Sequence, residues 1–515
     1  MEDFYALLKK VRSERIEGRC TMKQYHQEVN IELSKGSSTL SILRRAGKNI
    51  FYKAVAEILS RLIYLFFFIY MARNLGSSDF GLFSFAFSFA GIFVLLVDPG
   101  LNILLTRDVS RDRTLASKYS NNIFTVKILL SFVTLGLLWS ALHLFGYDQR
   151  TVTVILIMGG FLILNCFFEF FVALSNAYER MDIDAAIKIT NKLFVSLFGL
   201  TALLLGSGIV SLLHYMVMAS IIAVFIAYFI IRKNIINIKL ELDWKSLGPM
   251  HYNALPMALT AIFSLIYFKV DVVMLSMFSV SNSDIGVYSA AVRLIEVLNV
   301  IPVIFVGGLF PILAGFSNNK KTHLEPAFRK SFQYILLVVF FIFAVTVSSS
   351  QEIIRIIYGS EYSNSALALS ILICTSLFIF PNVLFLNLIV IANKQILNAA
   401  FALFCLLLNI ILNLILIPRY GFIGASIATV TTDMMFFALT TAFAVKYFSS
   451  ATFLKDGLKP LLCGALLTII LMAIKGTGLI IIVPIAIIVY VLLIFSTKTL
   501  SMKDIKQLKE AFVQT

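Results

Sequence analysis

The chain has 515 residues, of which 59% are hydrophobic and 14% charged, and phenylalanine alone occurs 47 times. Such a balance excludes an ordinary water-soluble domain. The formal net charge is +15, but the basic residues sit in short gaps between apolar runs rather than in one patch, which favours anionic lipid over nucleic acid as the partner.

Residues 1–46 mix Lys9, Lys10, Arg12, Arg15 and Arg19 with Glu14, Glu17, Glu28 and Glu32 and contain no long apolar run, so they read as a cytoplasmic tail. From Asn49 onward come fourteen apolar stretches. About 20 apolar residues cross a ~30 Å hydrocarbon core as a helix, because only a helix satisfies its own backbone polar groups in lipid. The predicted spans lie near 49–72, 80–105, 122–145, 151–175, 186–206, 209–231, 251–278, 285–316, 331–349, 364–391, 396–417, 421–445, 457–474 and 478–497. The first is too long for a secretory signal peptide and is expected to remain in place. The fold class is therefore all-α, a polytopic membrane protein of about 14 transmembrane helices. After the last span, Lys503, Lys506 and Lys509 alternate with Ile505, Leu508 and Phe512, a pattern that suits either a basic helix on the membrane surface or a plain solvated tail.

Basic residues alternate in density between the spans. The second gap carries Arg107, Arg111, Arg113 and Lys118, the sixth Arg232, Lys233, Lys239 and Lys245, and the eighth Lys320, Lys321, Arg329 and Lys330. Intervening gaps offer single cations, Arg73, Arg150, Arg355, Arg419 and Lys475, or none. The positive-inside rule puts the dense gaps in the cytoplasm of a multi-pass protein of the cell membrane, and an even span count puts both termini there too. Of the cysteines, Cys20 lies in the leading tail and Cys166, Cys374, Cys405 and Cys463 inside apolar stretches. With no CxxC and no histidine at ligand spacing, they imply neither a disulfide frame nor a metal site. No GxxxxGK[ST] phosphate loop occurs, so neither ATP hydrolysis nor a cofactor is expected.

An internal repeat is visible directly. Ser78-Asp79-Phe80-Gly81-Leu82-Phe83-Ser84 follows span one and Ser283-Asp284-Ile285-Gly286-Val287-Tyr288-Ser289 follows span seven, an offset of about 205 residues. Spans one to six and seven to twelve read as duplicated six-helix bundles of shared orientation, related by an axis along the membrane normal. The domain layout is a tail at 1–46, an N-lobe at 47–231, a cytoplasmic linker at 232–250, a C-lobe at 251–445, two extra spans at 457–497 and a cytoplasmic tail at 498–515. Ser-Asp-x-Gly itself reads as an outer turn and helix start, with Ser or Asp accepting the amide hydrogens that a new helix leaves free.

The stretch Ala72-Arg73-Asn74-Leu75-Gly76 to Phe80-Gly81, continuing through Asp98-Pro99-Gly100-Leu101 to Arg107-Asp108-Val109-Ser110-Arg111, resembles the polysaccharide-transporter family of oligosaccharide flippases. So do Tyr358-Gly359-Ser360-Glu361-Tyr362 and Ile417-Pro418-Arg419-Tyr420-Gly421-Phe422-Ile423-Gly424-Ala425-Ser426-Ile427-Ala428-Thr429. The resemblance implies the multidrug, oligosaccharidyl-lipid and polysaccharide exporter superfamily, with two six-helix lobes around a central cavity and often two extra helices. It implies a flippase that carries a polyprenyl-(di)phosphate-linked oligosaccharide from the cytoplasmic to the outer leaflet for cell-surface polysaccharide assembly. The leading tail departs from the family pattern.

An ionisable side chain at mid-bilayer costs about 2.5–3.5 kcal/mol on insertion scales, so it faces the bundle interior, a partner or water. In span one, Glu57 and Arg61 are one turn apart. In span seven, Lys269 and Asp271 are two residues apart, about 200° around the helix, so both cannot point squarely into one cavity and at least one is expected to contact a neighbouring helix. In span eight, Arg293 and Glu296 share a face before Pro302, Gly307-Gly308 and Pro311 weaken the helix. Arg61, Lys269 and Arg293 are the expected substrate-binding residues for a lipid-linked phosphate, with Glu57, Asp271 and Glu296 as counter-charges or sites for a coupling ion, H+ or Na+. Tyr64, Tyr267 and Tyr288 have faces that stack on sugar rings, although such tyrosines are more often packing residues. Asp98, beside Pro99 and Gly100, is expected to cap a helix break. A multidrug or organic-cation antiporter is the alternative within the superfamily. A membrane polysaccharide polymerase or glycosyltransferase is disfavoured, because the longest outer gap, around Ser350 to Ser363, is only about fifteen residues.

Overall fold

The structure, a computed structural model, describes residues 62–316 and 320–499. Helix dominates the described residues and none is in a strand. The elements are α1 (Leu62–Val94), α2 (Leu101–Arg111), α3 (Ala116–Leu144), α4 (Gln149–Ala177), α5 (Met181–Leu204), α6 (Ile209–Asn234) and α7 (Trp244–Met277). They continue as α8 (Asn282–Leu298), α9 (Val300–Gly315), α10 (Glu325–Ile357), α11 (Ser365–Ile391), α12 (Gln395–Phe448), α13 (Thr452–Asp456), α14 (Leu458–Ala473) and α15 (Leu479–Ser496).

Eleven helices among the described residues have the length and apolar content to cross a membrane. Two of them are doubled back. In α1 the chain reverses at Gly76, φ 75°, and in α12 at Gly421, φ 55°, a left-handed region that side chains with a Cβ rarely enter. The reversal in α1 sets Phe68 of its first arm edge-on to Phe83 of its second, with ring centroids 5.6 Å apart. Counting both arms of each, and adding α7, gives fourteen passes. The protein is thus a multi-pass membrane protein.

Local sequence accounts for the breaks. Asp98 Oδ1 accepts the Asn102 amide at 3.2 Å, and Gly100 at φ 89° turns the chain into α2, so the predicted second span is split at Asp98-Pro99-Gly100. The span weakened by Pro302, Gly307-Gly308 and Pro311 is interrupted ahead of them, at Asn299, which separates α8 from α9. At the start of α4, Asp148 accepts the amides of Arg150 and Thr151, both at 3.1 Å.

Packing divides the helices into two bundles. Leu104, Phe171 and Ala227 are among the residues that join α2 to α6 in one core. Phe328, Phe332, Phe385, Phe448 and Phe453 fill the core of α9 to α13. Because lipid is as apolar as a leucine side chain, close fit and buried hydrogen bonds hold such helices together. Helices α14 and α15 pack on α10, where Phe340 fills the notch at Gly464 and the Tyr490 hydroxyl donates to the Leu337 carbonyl at 2.7 Å.

The bundles meet at the Gly76 end of α1, and both copies of the repeat lie in the joint. A Cβ at Gly81 would strike the Asn282 carbonyl, and one at Gly286 would strike the Ser77 carbonyl, so the glycines let the second arm of α1 and α8 touch backbone to backbone. Ser77 Oγ and Ser283 Oγ are 2.7 Å apart. Around this contact the charges are complementary to helix ends. Glu361, from the turn after α10, accepts the Ser77 amide at 2.5 Å at the start of the second arm, while Arg73 donates to the carbonyls of Ile356 and Ile357 at the end of α10. Tyr362 donates to the Ala72 carbonyl at 2.8 Å. The Ser-Asp-x-Gly start is therefore capped differently in the two copies, by Ser281 on the Asp284 amide in the second and by Glu361 of the opposite bundle in the first.

Candidate functional site

Away from the sealed end, a cavity of about 340 Å³ opens between the first arm of α1, α4, α5 and α8. Its polar lining is Glu169, Lys188, Lys192, Arg293 and Glu296, with Tyr64 among the rings. Arg293 Nη1 donates to Glu296 Oε2 at 2.8 Å, the pair expected from their spacing on one face. The guanidinium also stands 4.5 Å over Phe68 and 5.3 Å over Phe87. Lys192 Nζ lies 4.2 Å over the Tyr64 ring.

A second cavity of about 390 Å³, between α1, α4 and α7, is lined by Asp98, Glu169 and Lys269. Lys269 Nζ donates to the Phe87 carbonyl at 3.3 Å and lies 3.8 Å over the Phe87 ring. Phe87 thus joins the two predicted cations, Lys269 and Arg293, through one ring. Behind Asp98 sits Lys127, fully buried, 3.2 Å from its carboxylate and 3.3 Å from the Cys166 carbonyl. A third hollow, about 430 Å³, continues past Arg107 and Asn176. Glu169 lies in the wall of all three, so they adjoin.

Asp271 lies elsewhere. Buried inside the second bundle, it accepts from Tyr288 Oη at 2.8 Å, Thr429 Oγ1 at 2.6 Å and Asn413 Nδ2 at 2.6 Å, tying α7 to α8 and to both arms of α12. The neighbouring Tyr267 donates to Asp433 at 2.7 Å. Of the tyrosines, only Tyr64 faces the cavity; Tyr267 and Tyr288 have their hydroxyls engaged within the bundle. Glu57 and Arg61 lie outside the described residues. Among those described, no cluster of three or more His, Cys, Asp and Glu is arranged to hold a metal ion.

Lys188, Lys192, Glu169, Lys127 and Asp433 are absent from the sequence-derived site. The cost of an intramembrane charge points to them as much as to Lys269. Lys188 and Lys192 escape notice because the apolar run of α5 is legible only from about residue 186, which places both lysines at a span end where long cations ordinarily reach water. The helix in fact starts at Met181, and Asp184 pairs with Lys188 at 3.1 Å on its inward side.

Fold and site together define the class: a polytopic helical membrane protein whose two bundles enclose a charged cavity. The chain belongs to the polysaccharide biosynthesis protein family, which matches residues 46–317. It is 24% identical over 389 residues, 75% of this chain and 80% of the relative, to the probable low-salt glycan biosynthesis flippase Agl15 of Haloferax volcanii. Among solved structures, the lipid II flippase MurJ in an inward closed conformation superposes with a TM-score of 0.69 at 18% identity, covering 86% of this chain and 97% of that one. A multidrug resistance MATE family transporter of the MOP superfamily, inward-facing, gives a TM-score of 0.60 at 13% identity, covering 76% and 94%. These likenesses establish the fold.

Proposed function

We propose that the protein is a flippase that moves a polyprenyl-(di)phosphate-linked oligosaccharide from the cytoplasmic to the outer leaflet of the plasma membrane. Its two lobes, residues 47–231 and 251–445, alternate access to the cavity. Both termini are cytoplasmic in this reading, and the sealed end faces outward.

The observation that carries the reading is the cavity's charge. Lys188, Lys192 and Arg293 oppose Glu169 and Glu296 in its lining, Asp184 stands behind Lys188, and in the adjoining cavity Lys269 and the buried Lys127 oppose Asp98; this small excess of cations suits a phosphate. Cations come from both bundles, so a bound phosphate would bridge them. Beside the cavity, Phe66 of α1 and Ile301 of α9 are exposed, an apolar flank along which a polyprenyl tail can stay in the bilayer. Arg61, Lys269 and Arg293 hold the phosphate, joined by Lys188 and Lys192, and Glu57 and Glu296 act as counter-charges. Asp271, like them, serves as a counter-charge or as a site for a coupling ion, H+ or Na+. An organic-cation antiporter fits this lining less well, because a cationic drug favours net negative charge.

The test is reconstitution into vesicles with a defined lipid-linked oligosaccharide, following its arrival in the opposite leaflet. Each of Arg61→Gln, Lys269→Gln and Arg293→Gln is expected to abolish flipping while leaving membrane insertion intact. Normal transport by all three variants would end the assignment.

A further inference from the structure

Asp433, on the second arm of α12, is 5% exposed, and its surroundings differ sharply from those of Asp271. One oxygen, Oδ1, accepts from Tyr267 Oη at 2.7 Å. The other, Oδ2, is buried without a hydrogen-bond partner among the described residues. Asp433 and Tyr267 belong to the wall of a hollow of about 100 Å³ between α7, α11 and α12, whose remaining polar groups are Ser264, Asn382 and Cys405. Among the described residues, no Lys, Arg or His lines that hollow. The titratable groups facing Asp433 among the described residues are Tyr267 and Asp271 from α7, Tyr288 from α8 and Cys405 from the first arm of α12; the lining of α11 offers only neutral Asn382.

An ionised carboxylate with a bare oxygen in such a place carries several kcal/mol of uncompensated desolvation. Asp271 avoids that cost through three donors; Asp433 has one. A metal cation is a poor remedy, since hard cations take about six oxygens. Here Asn382 Oδ1 already accepts from Thr440 at 2.7 Å, and most of the remaining wall is apolar. A proton needs no further ligand.

We infer that Asp433, with Tyr267, forms a proton-binding site in the second bundle, distinct from Asp271, and that loading and unloading it drives the relative movement of α7 and α12. The two carboxylates occupy consecutive rungs of one seam. Tyr267 and Asp271 are a turn apart on α7, and Asp433 and Thr429 are a turn apart on α12, each tyrosine or threonine hydroxyl donating across to the opposite carboxylate. Uptake of a proton from water leaves Asp271 as the single charge in the seam; its release places a second carboxylate there and repels the first. Helix α7 carries Lys269 between these rungs into the substrate cavity, so a shift of α7 against α12 moves a phosphate ligand. Proton binding stands independently of the flippase reading, whereas coupling to transport rests on it.

Infrared difference spectra of the purified protein in lipid, taken between acidic and alkaline buffers, separate the two. The expected result is a protonated-carboxyl carbonyl band that disappears on alkalinisation, is missing in Asp433→Asn, and has its titration midpoint moved by Tyr267→Phe. Wild-type spectra identical to those of Asp433→Asn, or a midpoint indifferent to Tyr267→Phe, overturn the site. Loss of the band on adding Na+ at fixed pH overturns the proton in favour of an alkali cation. In the vesicle assay an imposed pH gradient is expected to accelerate wild-type flipping and not that of Asp433→Asn. Equal responses overturn the coupling, while absence of flipping in every sample, with the band intact, overturns the flippase reading alone.

Discussion

Substituting Gly286 by alanine should loosen the sealed end selectively. A methyl there lands 2.9 Å from the Ser77 carbonyl carbon and closer still to its oxygen, and at Gly81 it lands 2.8 Å from the Gly286 amide nitrogen. The obstacle in both cases is backbone, so no rotamer change relieves it. Overpacking of this kind costs about 1–3 kcal/mol. Because the clash exists only where the bundles touch, the whole cost falls on the sealed form, and its population relative to an opened form drops by about 5–150-fold. The readout is a disulfide. With the Ser77 and Ser283 hydroxyl oxygens 2.7 Å apart, a Ser77→Cys/Ser283→Cys pair should be oxidised rapidly when the end is sealed. Adding Gly286→Ala is expected to slow oxidation by about fivefold or more, whereas Gly160→Ala, whose Cβ meets open space, leaves the rate unchanged. Oxidation of the Gly286→Ala form at the parent's rate would refute the argument that these glycines permit closure.

Three further outcomes follow from the same geometry. Lys188→Gln and Lys192→Gln should each weaken binding of the lipid-linked phosphate by roughly 10–150-fold, from about 1.5–3 kcal/mol per charged hydrogen bond, as measured by titration of the purified protein; unchanged affinity in both removes α5 from the site. Asp271→Leu leaves the buried Tyr288 hydroxyl without its acceptor, whereas Thr429 keeps the Ala425 carbonyl and Asn413 keeps Asn409 Oδ1, and should lower thermal stability in detergent more than Asp271→Asn, by about 1–3 kcal/mol for the orphaned hydroxyl. Asp148→Ala should cost about 1 kcal/mol as a lost helix cap. The Thr151 hydroxyl, ahead of the Thr151 and Arg150 amides, holds the Asp148 carboxyl below its ordinary range against the opposing effect of burial. That contribution is therefore complete above about pH 4 and lost as pH falls through the depressed value, so melting curves of wild type and variant should converge in acid.

Much of this architecture is written in local sequence. Apolar length announces the passes, and Asp98-Pro99-Gly100 announces the break that Asp98 caps. Gly76 and Gly421 lie between apolar runs where reversals belong. The site is less legible, because a charge inside a span shows that it needs company without showing whose. Lys269 and Asp271, neighbours in sequence, go to different places: one to Phe87 across the bundle boundary, the other to hydroxyls and an amide within its own bundle. Nor does the sequence distinguish Tyr64, beneath Lys192, from Tyr267, bonded to Asp433, since both occupy apolar helices and only tertiary packing separates them. Glu361 illustrates the same limit: its partner amide at Ser77 is 284 residues away.

The joint at the sealed end has the form of a two-fold seam. Ser77 and Asn282 are equivalent under the repeat, as are Gly81 and Gly286, and each glycine faces the other copy's counterpart carbonyl. Contacts of that kind are isologous, the pattern by which identical subunits pair. A lone six-helix unit bearing this one heptad would therefore present a self-complementary surface to a second copy inserted the same way up. The tandem chain holds a homodimer's dyad within a single polypeptide, and is free to vary its two cavity-lining halves while the joint keeps its symmetry.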